Sequence, residues 1–325
     1  MTDPLTEDVG RLKAVLGADF GSCMSSKIAC ATASGALVAM RTDEHEVAVA
    51  DLPPFLLRLF VPAAHRPRPR DTIHMDSRSE SRAASPFLHP EPDLLVSSAL
   101  PLHNIILNKF PVVFPHLLLC TKEYADQREH LSRADCAALE AVASTAYGSG
   151  DGPLCFYNSG ENSGASQGHK HIQLVPRASN GAGTPYFLDA LISRSTEEER
   201  ASGRLKHFDF EHRFVVLDRT RSGHLHDEYT RLLSSLRIDT ADGKGQHLSY
   251  NLLYTLDWLF IVPRKAECWS SVLPTEPPCT VKTSVNSLGF AGSILVREEA
   301  AFNYLRSVGP LPVLRSITFP IGGLP

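Results

Sequence analysis

Residues 156–173 read FYNSGENSGASQGHKHIQ, and this stretch carries most of the information about fold and function. Its first part, residues 158–167, consists mainly of small and amide side chains. Glycines and serines in such a loop let backbone N–H groups come close to a phosphate, and serine and glutamine side chains add further donors. Its second part places His169, His171 and Gln173 two residues apart. Because side chains alternate along a strand, we expect these three to lie on one face beside the loop.

Two histidines on one strand face allow three interpretations. The first is a polar sheet face that carries histidines by chance. The second is a zinc site, because a His-x-His pair on a strand can ligate a metal, although the sequence has no Cys-x-x-Cys motif and no acidic cluster nearby. The third is a nucleophile, because neutral imidazole, with a pKa of about 6.5, attacks phosphorus well at pH 7. That role requires one free ring nitrogen and a carbonyl that holds the other N–H.

The composition is that of a globular protein with little electrostatic attraction to nucleic acid. Hydrophobic residues make up 43% of the 325 residues, which is enough to bury a core, and the length favours about two domains. The net charge is −4, so any phosphate ligand has to be held by a local site. No apolar run reaches the roughly 18 residues that a membrane span needs.

The cysteines and the N-terminal sequence predict a cytoplasmic location. Seven cysteines, an odd number, stand at scattered spacings without a Cys-x-x-Cys pair, as expected of reduced thiols. Residues 1–20 contain acidic residues early and no long apolar run, which disfavours a secretory signal. We therefore expect a cytoplasmic protein with neither a nucleic-acid nor a membrane partner.

The first quarter of the chain predicts one helix, several strands and a loop. Residues 1–20 predict an amphipathic helix, because four apolar residues recur at helical spacing: Val9, Leu12, Val15 and Leu16. Residues 33–60 predict strands that flank a turn at 42–46. The Pro-, Arg- and Ser-rich residues 62–84 predict a connecting loop.

The rest of the chain mixes hairpins with single helices. Ser132 and Asp135 have the spacing of a capping box, which places the start of a helix at Ser132. The other helices are expected at 222–236 and 298–308, and the strands at 103–110, 116–123, 153–158, 169–176, 206–218, 249–256, 259–265, 282–286 and 292–297. This mixture indicates an α+β fold rather than a parallel doubly wound sheet.

The residues of the decisive stretch also resemble a known family. HKHIQ at 169–173 resembles the histidine-triad (HIT) superfamily motif in its transferase form, in which glutamine takes the third place. The longer string NSGENSGASQGHKHIQ is similar to the diadenosine tetraphosphate (Ap4A) phosphorylases, also called ATP adenylyltransferases. The likeness runs from about Ser34 to Arg297 and includes SPFL at 85–88, PDLL at 92–95, LNKFPVV at 107–113, HLLL at 116–119, TKE at 121–123, SYNLL at 249–253, VPR at 262–264 and SVNSLGFAGSILV at 284–296.

This resemblance implies a fold and a division of the chain. The fold would be a HIT-like antiparallel sheet with packed helices. Residues 1–185 would form an N-terminal catalytic half that carries the His-x-His-x-Gln motif. Residues 186–325 would complete the sheet and the substrate site, so that both halves share one cleft.

The resemblance also implies a reaction. His171 would attack the α-phosphorus of Ap4A and expel ATP, and inorganic phosphate would then release ADP from the adenylyl-histidine, reversibly. Gln173 would hydrogen-bond the bound α-phosphate, and His169 would orient the site. A neutral amide stabilises the covalent intermediate without giving a proton to water, which is a reason for transfer rather than hydrolysis.

Further residues are implied to bind the substrate. They are Asn108 and Lys109 before the proline turn, Asn158, Gly164, Ala165, Ser166 and Gln167 along the phosphates, Ser284, Asn286, Ser293 and Arg297 from the C-terminal half, and Arg66 in place of a family lysine. Arg297 also stands where the family often has lysine, and its planar fork can bind a phosphate bidentately. The expected ligands are Ap4A, ATP, ADP, AMP and phosphate. No tightly bound cofactor or protein metal site is expected, but Mg²⁺ is a candidate ligand of the polyphosphate.

Three other functions fit parts of the pattern. A hexose-1-phosphate uridylyltransferase shares the His-x-His-x-Gln chemistry, but it typically has a cysteine pair in a zinc site. A HIT-type dinucleoside polyphosphate hydrolase is disfavoured by Gln173. A nucleotide-binding sensor without turnover is disfavoured by the intact His171, because a binding protein gains nothing from a free nucleophile.

Overall fold

A computed structural model describes most of the chain. The described residues are 4–49, 51–61, 85–147, 151–178, 183–238, 247–273 and 278–325. The predicted loop at 62–84, with Arg66, lies outside them.

The helices and strands within these ranges are as follows. The helices are α1 (Pro4–Leu16), α2 (Phe20–Ser34), α3 (Arg133–Thr145), α4 (Phe187–Ser193), α5 (Glu197–Ser202), α6 (Leu225–Ser235), α7 (Ser287–Ala291), α8 (Glu299–Val308) and α9 (Pro310–Ser316). The strands are β1 (Thr42–Val49), β2 (Leu52–Phe60), β3 (Leu95–Ser97), β4 (His103–Leu107), β5 (Leu117–Thr121), β6 (Pro153–Ser159), β7 (His171–Pro176), β8 (Arg213–Val216), β9 (Tyr250–Tyr254), β10 (Trp258–Pro263), β11 (Cys268–Leu273), β12 (Cys279–Ser284) and β13 (Ser293–Val296).

An antiparallel sheet of eight of the described strands forms the centre of the fold. Its order is β3-β4-β5-β7-β6-β9-β10-β8. Strand β6 pairs with β7 on one side and with β9 on the other, so that the sheet runs through both predicted halves. A smaller sheet has the order β1-β2-β13, and β11 pairs with β12. The predicted α+β fold with an antiparallel sheet is confirmed.

Both faces of the large sheet are buried. Along β6, Cys155 and Tyr157 belong to an apolar cluster that includes residues of α1, α2, α3 and α6. Phe156 belongs to a second cluster, on the other face, which includes residues of α4, α7, α8, α9, β2 and β13. A strand that is buried on both faces has a continuous apolar sequence, which is why PLCFY predicts a strand without alternation. On β7, Ile172 and Leu174 lie in the first cluster, so His171 and Gln173 project to the second side.

Several local predictions are confirmed because their signals lie within a few residues. Ser132 accepts a hydrogen bond from the Asp135 amide (3.1 Å), and the Asp135 carboxylate accepts one from the Ser132 amide (2.8 Å). Strands β9 and β10 form the predicted hairpin, and Trp258 is buried within it. Helices α6 and α8 lie within the predicted ranges.

The N-terminal helix, predicted over residues 1–20, ends earlier than predicted. Helix α1 ends at Leu16, because Gly17 has φ = +76°, a conformation that favours glycine, and α2 then begins at Phe20. Val9 and Leu12 are buried as predicted, but Val15 is 45% exposed. The sequence patterns predict none of the helices α2, α4, α5, α7 and α9.

The predicted turn at 42–46 is also wrong, because these residues lie in β1. Strand β1 pairs only with β2 among the described strands, and its acidic side chains are mostly exposed. A solvated edge strand has the polar composition of a turn, so composition alone cannot separate the two. Of the strand predicted at 206–218, only the four residues of β8 (Arg213–Val216) form a strand.

Candidate active site

His171, at the start of β7, has the geometry of a nucleophile. Its Nδ1–H donates to the carbonyl oxygen of His169 (2.8 Å), and no hydrogen bond reaches Nε2 from any residue that the structure describes. The residue is 2% exposed, and burial lowers the pKa of its imidazole to about 4. The imidazole is therefore neutral at pH 7, with an unprotonated Nε2. Both requirements stated for a nucleophilic histidine are met.

Both ring nitrogens of His169 form hydrogen bonds. Its Nε2 lies 3.1 Å from the carbonyl oxygen of Glu123 and 2.9 Å from Thr121 Oγ1. Because a carbonyl only accepts, Nε2 carries the hydrogen, and Nδ1 accepts from Ser85 Oγ (2.8 Å). Burial lowers the pKa of His169 as well. His169 thus holds His171 through its backbone oxygen, while its own ring is fixed in one tautomer.

A chain of three side chains sets the orientation of Gln173. Asn108 Oδ1 accepts from the Phe110 amide (3.0 Å), so Asn108 Nδ2 donates to His116 Nδ1 (3.1 Å). His116 Nε2–H then donates to Gln173 Oε1 (3.1 Å). Burial lowers the pKa of His116 to about 4, which keeps it neutral in this relay. With Oε1 occupied, the Gln173 amide presents its N–H donors to the remaining space on its face.

The predicted common face is confirmed. The Phe87 ring lies 5.1 Å from the His171 ring and 5.8 Å from the His169 ring, between centroids. His116, which holds Gln173, lies 5.9 Å from the Phe156 ring, which belongs to the apolar cluster on the same side of the sheet. The imidazole and the amide therefore project to one side of the sheet.

The loop before His169 offers a row of unused donors. No backbone N–H of residues 164–168 donates a hydrogen bond within the described parts of the chain, and the side chains of Ser166 and Gln167 have no partner there either. Gly164 adopts φ = +79°, and a Cβ on it would lie 2.9 Å from the carbonyl oxygen of Val285. This position therefore requires glycine, and successive free N–H groups form a site for an anion.

The C-terminal half holds this loop through a buried polar network. Asn158 is 1% exposed, and its Oδ1 accepts from Ser287 Oγ (2.6 Å), the Ser287 amide (3.0 Å) and Asn251 Nδ2 (2.8 Å). Asn251 Nδ2 also donates to the carbonyl oxygen of Ser163 (2.8 Å). Asn158 was predicted to line the phosphates, but its side-chain oxygen is committed to this network.

A buried arginine lies next to the same network. Arg264 is 1% exposed and donates to Asn251 Oδ1 and, at 3.4 Å, to the carbonyl oxygen of Ser163. Its guanidinium lies 5.2 Å from the centre of the Phe290 ring. Burial lowers its pKa to about 9, which still leaves it charged at pH 7. A positive charge is therefore held within hydrogen-bond reach of the loop backbone.

Acid should destabilise the protein well before its carboxylates titrate. Burial lowers the pKa of His116, His171 and His212 to about 4 each. Between about pH 6.5 and 4 the unfolded chain binds protons that the native protein excludes, so the free energy of unfolding falls as the pH falls. We expect a loss of about 1–2 kcal/mol per histidine between pH 7 and 5.

Urea unfolding at the two pH values measures this loss. The variant His212→Asn should show a smaller pH dependence than the wild type, since one buried histidine is gone. A free energy of unfolding that is the same at both pH values would contradict the prediction.

Comparisons with known proteins give the family. A family model described as the Ap4A phosphorylase N-terminal domain matches residues 17–210, more than half of the chain, and one described as the ATP adenylyltransferase C-terminal domain matches residues 206–320. The chain belongs to the Ap4A phosphorylase family. The resemblance stated from the sequence is thereby confirmed.

Two Saccharomyces cerevisiae proteins are similar in sequence to this Ap4A phosphorylase-family chain. Diadenosine 5',5'''-P1,P4-tetraphosphate phosphorylase 2 is 30% identical over 251 residues, which are 69% of this chain and 72% of the relative. Protein APA1 is 29% identical over 223 residues, 62% of this chain and 63% of the relative.

Solved structures of yeast Ap4A phosphorylase Apa2 share the fold. One matches with a TM-score of 0.72 at 24% identity and covers 93% of this chain and 95% of Apa2. The complex of Apa2 with Ap4A matches with a TM-score of 0.70 at 22% identity and covers 92% of this chain and 97% of that one. The α+β fold is thus confirmed over nearly the whole chain.

Three of the residues implied by the Ap4A phosphorylase resemblance have local structural partners. Lys109 pairs with Glu91 (2.7 Å) and is 41% exposed, so its ammonium lies at the surface. Ser284 Oγ donates to Glu267 (2.6 Å). Asn286 caps α7 by accepting from the Leu288 amide.

Two more lie on the smaller sheet or directly after it. Ser293 Oγ accepts from the buried Arg58 (3.1 Å). Arg297 is exposed, with its guanidinium 5.9 Å from the centre of the Phe60 ring. Within the described ranges, no hydrogen bond joins either residue to the loop or to the motif.

Sequence reasoning missed four buried polar residues of the site. They are Gln127, Asn251, Arg264 and Ser287. The last three lie in segments that were noted only for their likeness to the family, SYNLL, VPR and SVNSLG. A charged or amide residue inside an otherwise apolar strand, as in NLLY and VPR, was the signal available.

The part of the chain that the structure describes contains neither a cluster of metal ligands nor a membrane-spanning helix. No group of three or more histidine, cysteine, aspartate or glutamate residues there has the arrangement of a metal site. No helix there is both long and apolar enough to cross a membrane.

Proposed function

We propose that this protein cleaves Ap4A with inorganic phosphate to ATP and ADP, reversibly, through a covalent adenylyl-histidine at His171. Membership of the Ap4A phosphorylase family supports the reaction, and the two yeast relatives match 69% and 62% of this chain. The observation that carries the mechanism is the neutral imidazole with a free Nε2 beside a row of unused N–H donors.

The first half-reaction forms the covalent bond. The Nε2 lone pair of His171 attacks the α-phosphorus of Ap4A and forms a P–N bond. The P–O bond to the rest of the molecule breaks, and that part leaves as ATP. The imidazolium that results keeps its Nδ1–H on the carbonyl oxygen of His169. Free N–H groups of residues 164–168 and the Gln173 amide bind the charged phosphoryl oxygens.

The second half-reaction selects phosphate over water. A phosphate oxygen attacks the adenylyl group, the P–N bond breaks, and ADP leaves with His171 neutral again. Phosphate is already an anion and needs no general base, whereas water does. Gln173 cannot accept that proton, because an amide does not titrate near pH 7.

Substrate binding extends from the motif to both halves in this proposal. Lys109 and Arg297 are exposed cations that can exchange their present contacts for phosphates, because exposed ion pairs contribute little free energy. The charged Arg264 adds a positive potential behind the loop. We also propose that no cofactor resides in the protein and that a divalent cation such as Mg²⁺ arrives on the polyphosphate.

We place the enzyme in the cytoplasm, with nucleotides and phosphate as its partners. All seven cysteines are free thiols, and three of them are buried in the core, which suits a reducing compartment. The net charge of −4 supports small nucleotides rather than nucleic acid as ligands.

Omitting phosphate should lower Ap4A consumption by about 100-fold or more, because no residue activates water. Chromatography of the products should show ADP and ATP in equal amounts when phosphate is present. Fast formation of AMP and ATP without phosphate would instead make this a HIT-type hydrolase. Binding without turnover under either condition would make it a sensor.

Replacing Arg297 with alanine should lower kcat/KM for Ap4A or phosphate about tenfold or more, equivalent to about 1.4 kcal/mol. Arg297→Lys should recover much of this loss, because the charge is kept. The melting temperature should hardly change, since the side chain is exposed.

Arg306→Ala is the matched control for this prediction. It removes a surface arginine that lies 5.8 Å from the Phe302 ring, and it should leave kcat/KM unchanged. Equal kinetics for Arg297→Ala and Arg306→Ala would remove Arg297 from the substrate site.

A further inference from the structure

The pairing between β6 and β7 stops two residues short of His171. The register runs from Pro153 opposite Pro176 to Phe156 opposite Gln173. Two residues farther along, the same register would place Asn158 opposite His171, but no such pair forms. The sheet therefore opens between β6 and β7 at His171, while β5 still pairs with this residue through Cys120 on the other side.

A side-chain amide fills this opening. Gln127 Oε1 accepts a hydrogen bond from the backbone N–H of His171 (2.8 Å). Gln127 Nε2 donates to the carbonyl oxygen of Asn158 (2.8 Å) and to that of His171 (3.3 Å). An amide has the same donor and acceptor as a peptide group, so it can replace a missing backbone pair.

Gln127 is itself held rigidly. It is 3% exposed, its backbone N–H donates to the carbonyl oxygen of Gly168 (2.9 Å), and its carbonyl oxygen accepts from Tyr157 Oη (2.8 Å). Beside it, the Lys170 amide donates to the carbonyl oxygen of Ala125 (2.8 Å). The segment that carries Gln127 thus binds the chain on both sides of His169.

We propose that Gln127 is a positioning residue that sets the distance between the nucleophile and the phosphate loop. Its amide binds Asn158, where the loop begins, and His171, where the loop returns to the sheet. Gln127 touches neither the reacting atoms nor the free ring nitrogen. The inference rests on the proposed reaction, because its consequence is the placement of Nε2 at the α-phosphorus. Misplacing reacting groups by about 1 Å costs about 100-fold in rate.

The test replaces the amide at constant length. Gln127→Met removes the donors and the acceptor, and we expect kcat to fall about 100-fold while KM changes by less than about threefold. Gln127→Glu should regain activity relative to the wild type as the pH falls from about 8 to 6, because a protonated carboxyl again offers one donor and one acceptor. Arg128→Met, an exposed change in the same loop, should leave kcat unchanged.

A measurement without substrate separates this proposal from the proposed function. Nitrogen-15 NMR of the histidine rings should show His171 protonated at Nδ1 in the wild type. It should show mixed tautomers in Gln127→Met, because the His171 backbone that aims Nδ1–H at its acceptor is released. If the wild type fails to cleave Ap4A but the His171 tautomers still become mixed in Gln127→Met, the reaction is refuted and the positioning role is kept. A Gln127→Met enzyme with wild-type kcat and an unchanged spectrum would overturn the proposal.

Discussion

Replacing His171 with asparagine should lower kcat for Ap4A phosphorolysis by about 10⁴-fold or more, since the group that forms the covalent bond is lost. Asparagine keeps an N–H that can reach the carbonyl oxygen of His169, so the local backbone should be retained. Circular dichroism and thermal melting should show a folded protein, and product analysis with phosphate present measures the loss.

His212→Asn is the matched control for this variant. His212 is also buried, its pKa is also lowered to about 4 by burial, and its Nδ1–H also donates to the carbonyl oxygen two residues earlier (Phe210, 2.8 Å). Its Nε2, however, accepts from the Leu205 amide (2.8 Å) and is not free. We expect lower stability with unchanged kcat per folded molecule. More than about 1% residual activity in His171→Asn would exclude histidine nucleophilic catalysis.

Replacing Asn158 with leucine should lower the free energy of unfolding by about 3 kcal/mol. Leucine has nearly the same shape but accepts no hydrogen bond, so the Ser287 amide and one hydrogen of Asn251 Nδ2 lose their acceptor in a buried site. Leaving a buried donor unsatisfied costs about 1–3 kcal/mol each. Urea unfolding gives the free energy directly.

Ser166→Ala, in the same loop, controls for changes in the loop itself. Ser166 is exposed and has no hydrogen bond within the described structure, so we expect a change below about 0.5 kcal/mol. A loss below 1 kcal/mol for Asn158→Leu would show that the network does not join the halves. Asn158→Leu should also slow both half-reactions, because the loop of residues 158–167 is anchored at Asn158.

Features that depend on neighbours within a few residues could be predicted from the sequence. The alternation of His169, His171 and Gln173 placed their side chains on one face, and the capping box at Ser132 and Asp135 marked the start of α3. The tautomer required of His171 also followed from its chemistry. In each case the physical cause acts within one strand period or one helical turn.

Features that depend on an element's surroundings were missed or misassigned. The sequence of β1 resembles a turn, because only its place at the edge of the small sheet allows a strand to be so polar. Helix α2 was missed for a similar reason, because its sequence has no clear apolar stripe. Its buried residues are few: Phe20, Met24 and Ala31.

The amino-acid sequence alone predicted the candidate nucleophile and its neighbours on the strand, and it carried the family resemblance and the class of reaction that this resemblance implies. Only the tertiary structure decided how these parts are held. Gln127 meets the backbone of His171 across 44 residues of chain, and Ser287 meets Asn158 across 129. Such contacts have no local signal, because a buried amide or arginine is stable only when partners from distant segments satisfy its hydrogen bonds. The folded chain brings those partners together, and they hold the backbone of His171 and the start of the loop at Asn158 in place.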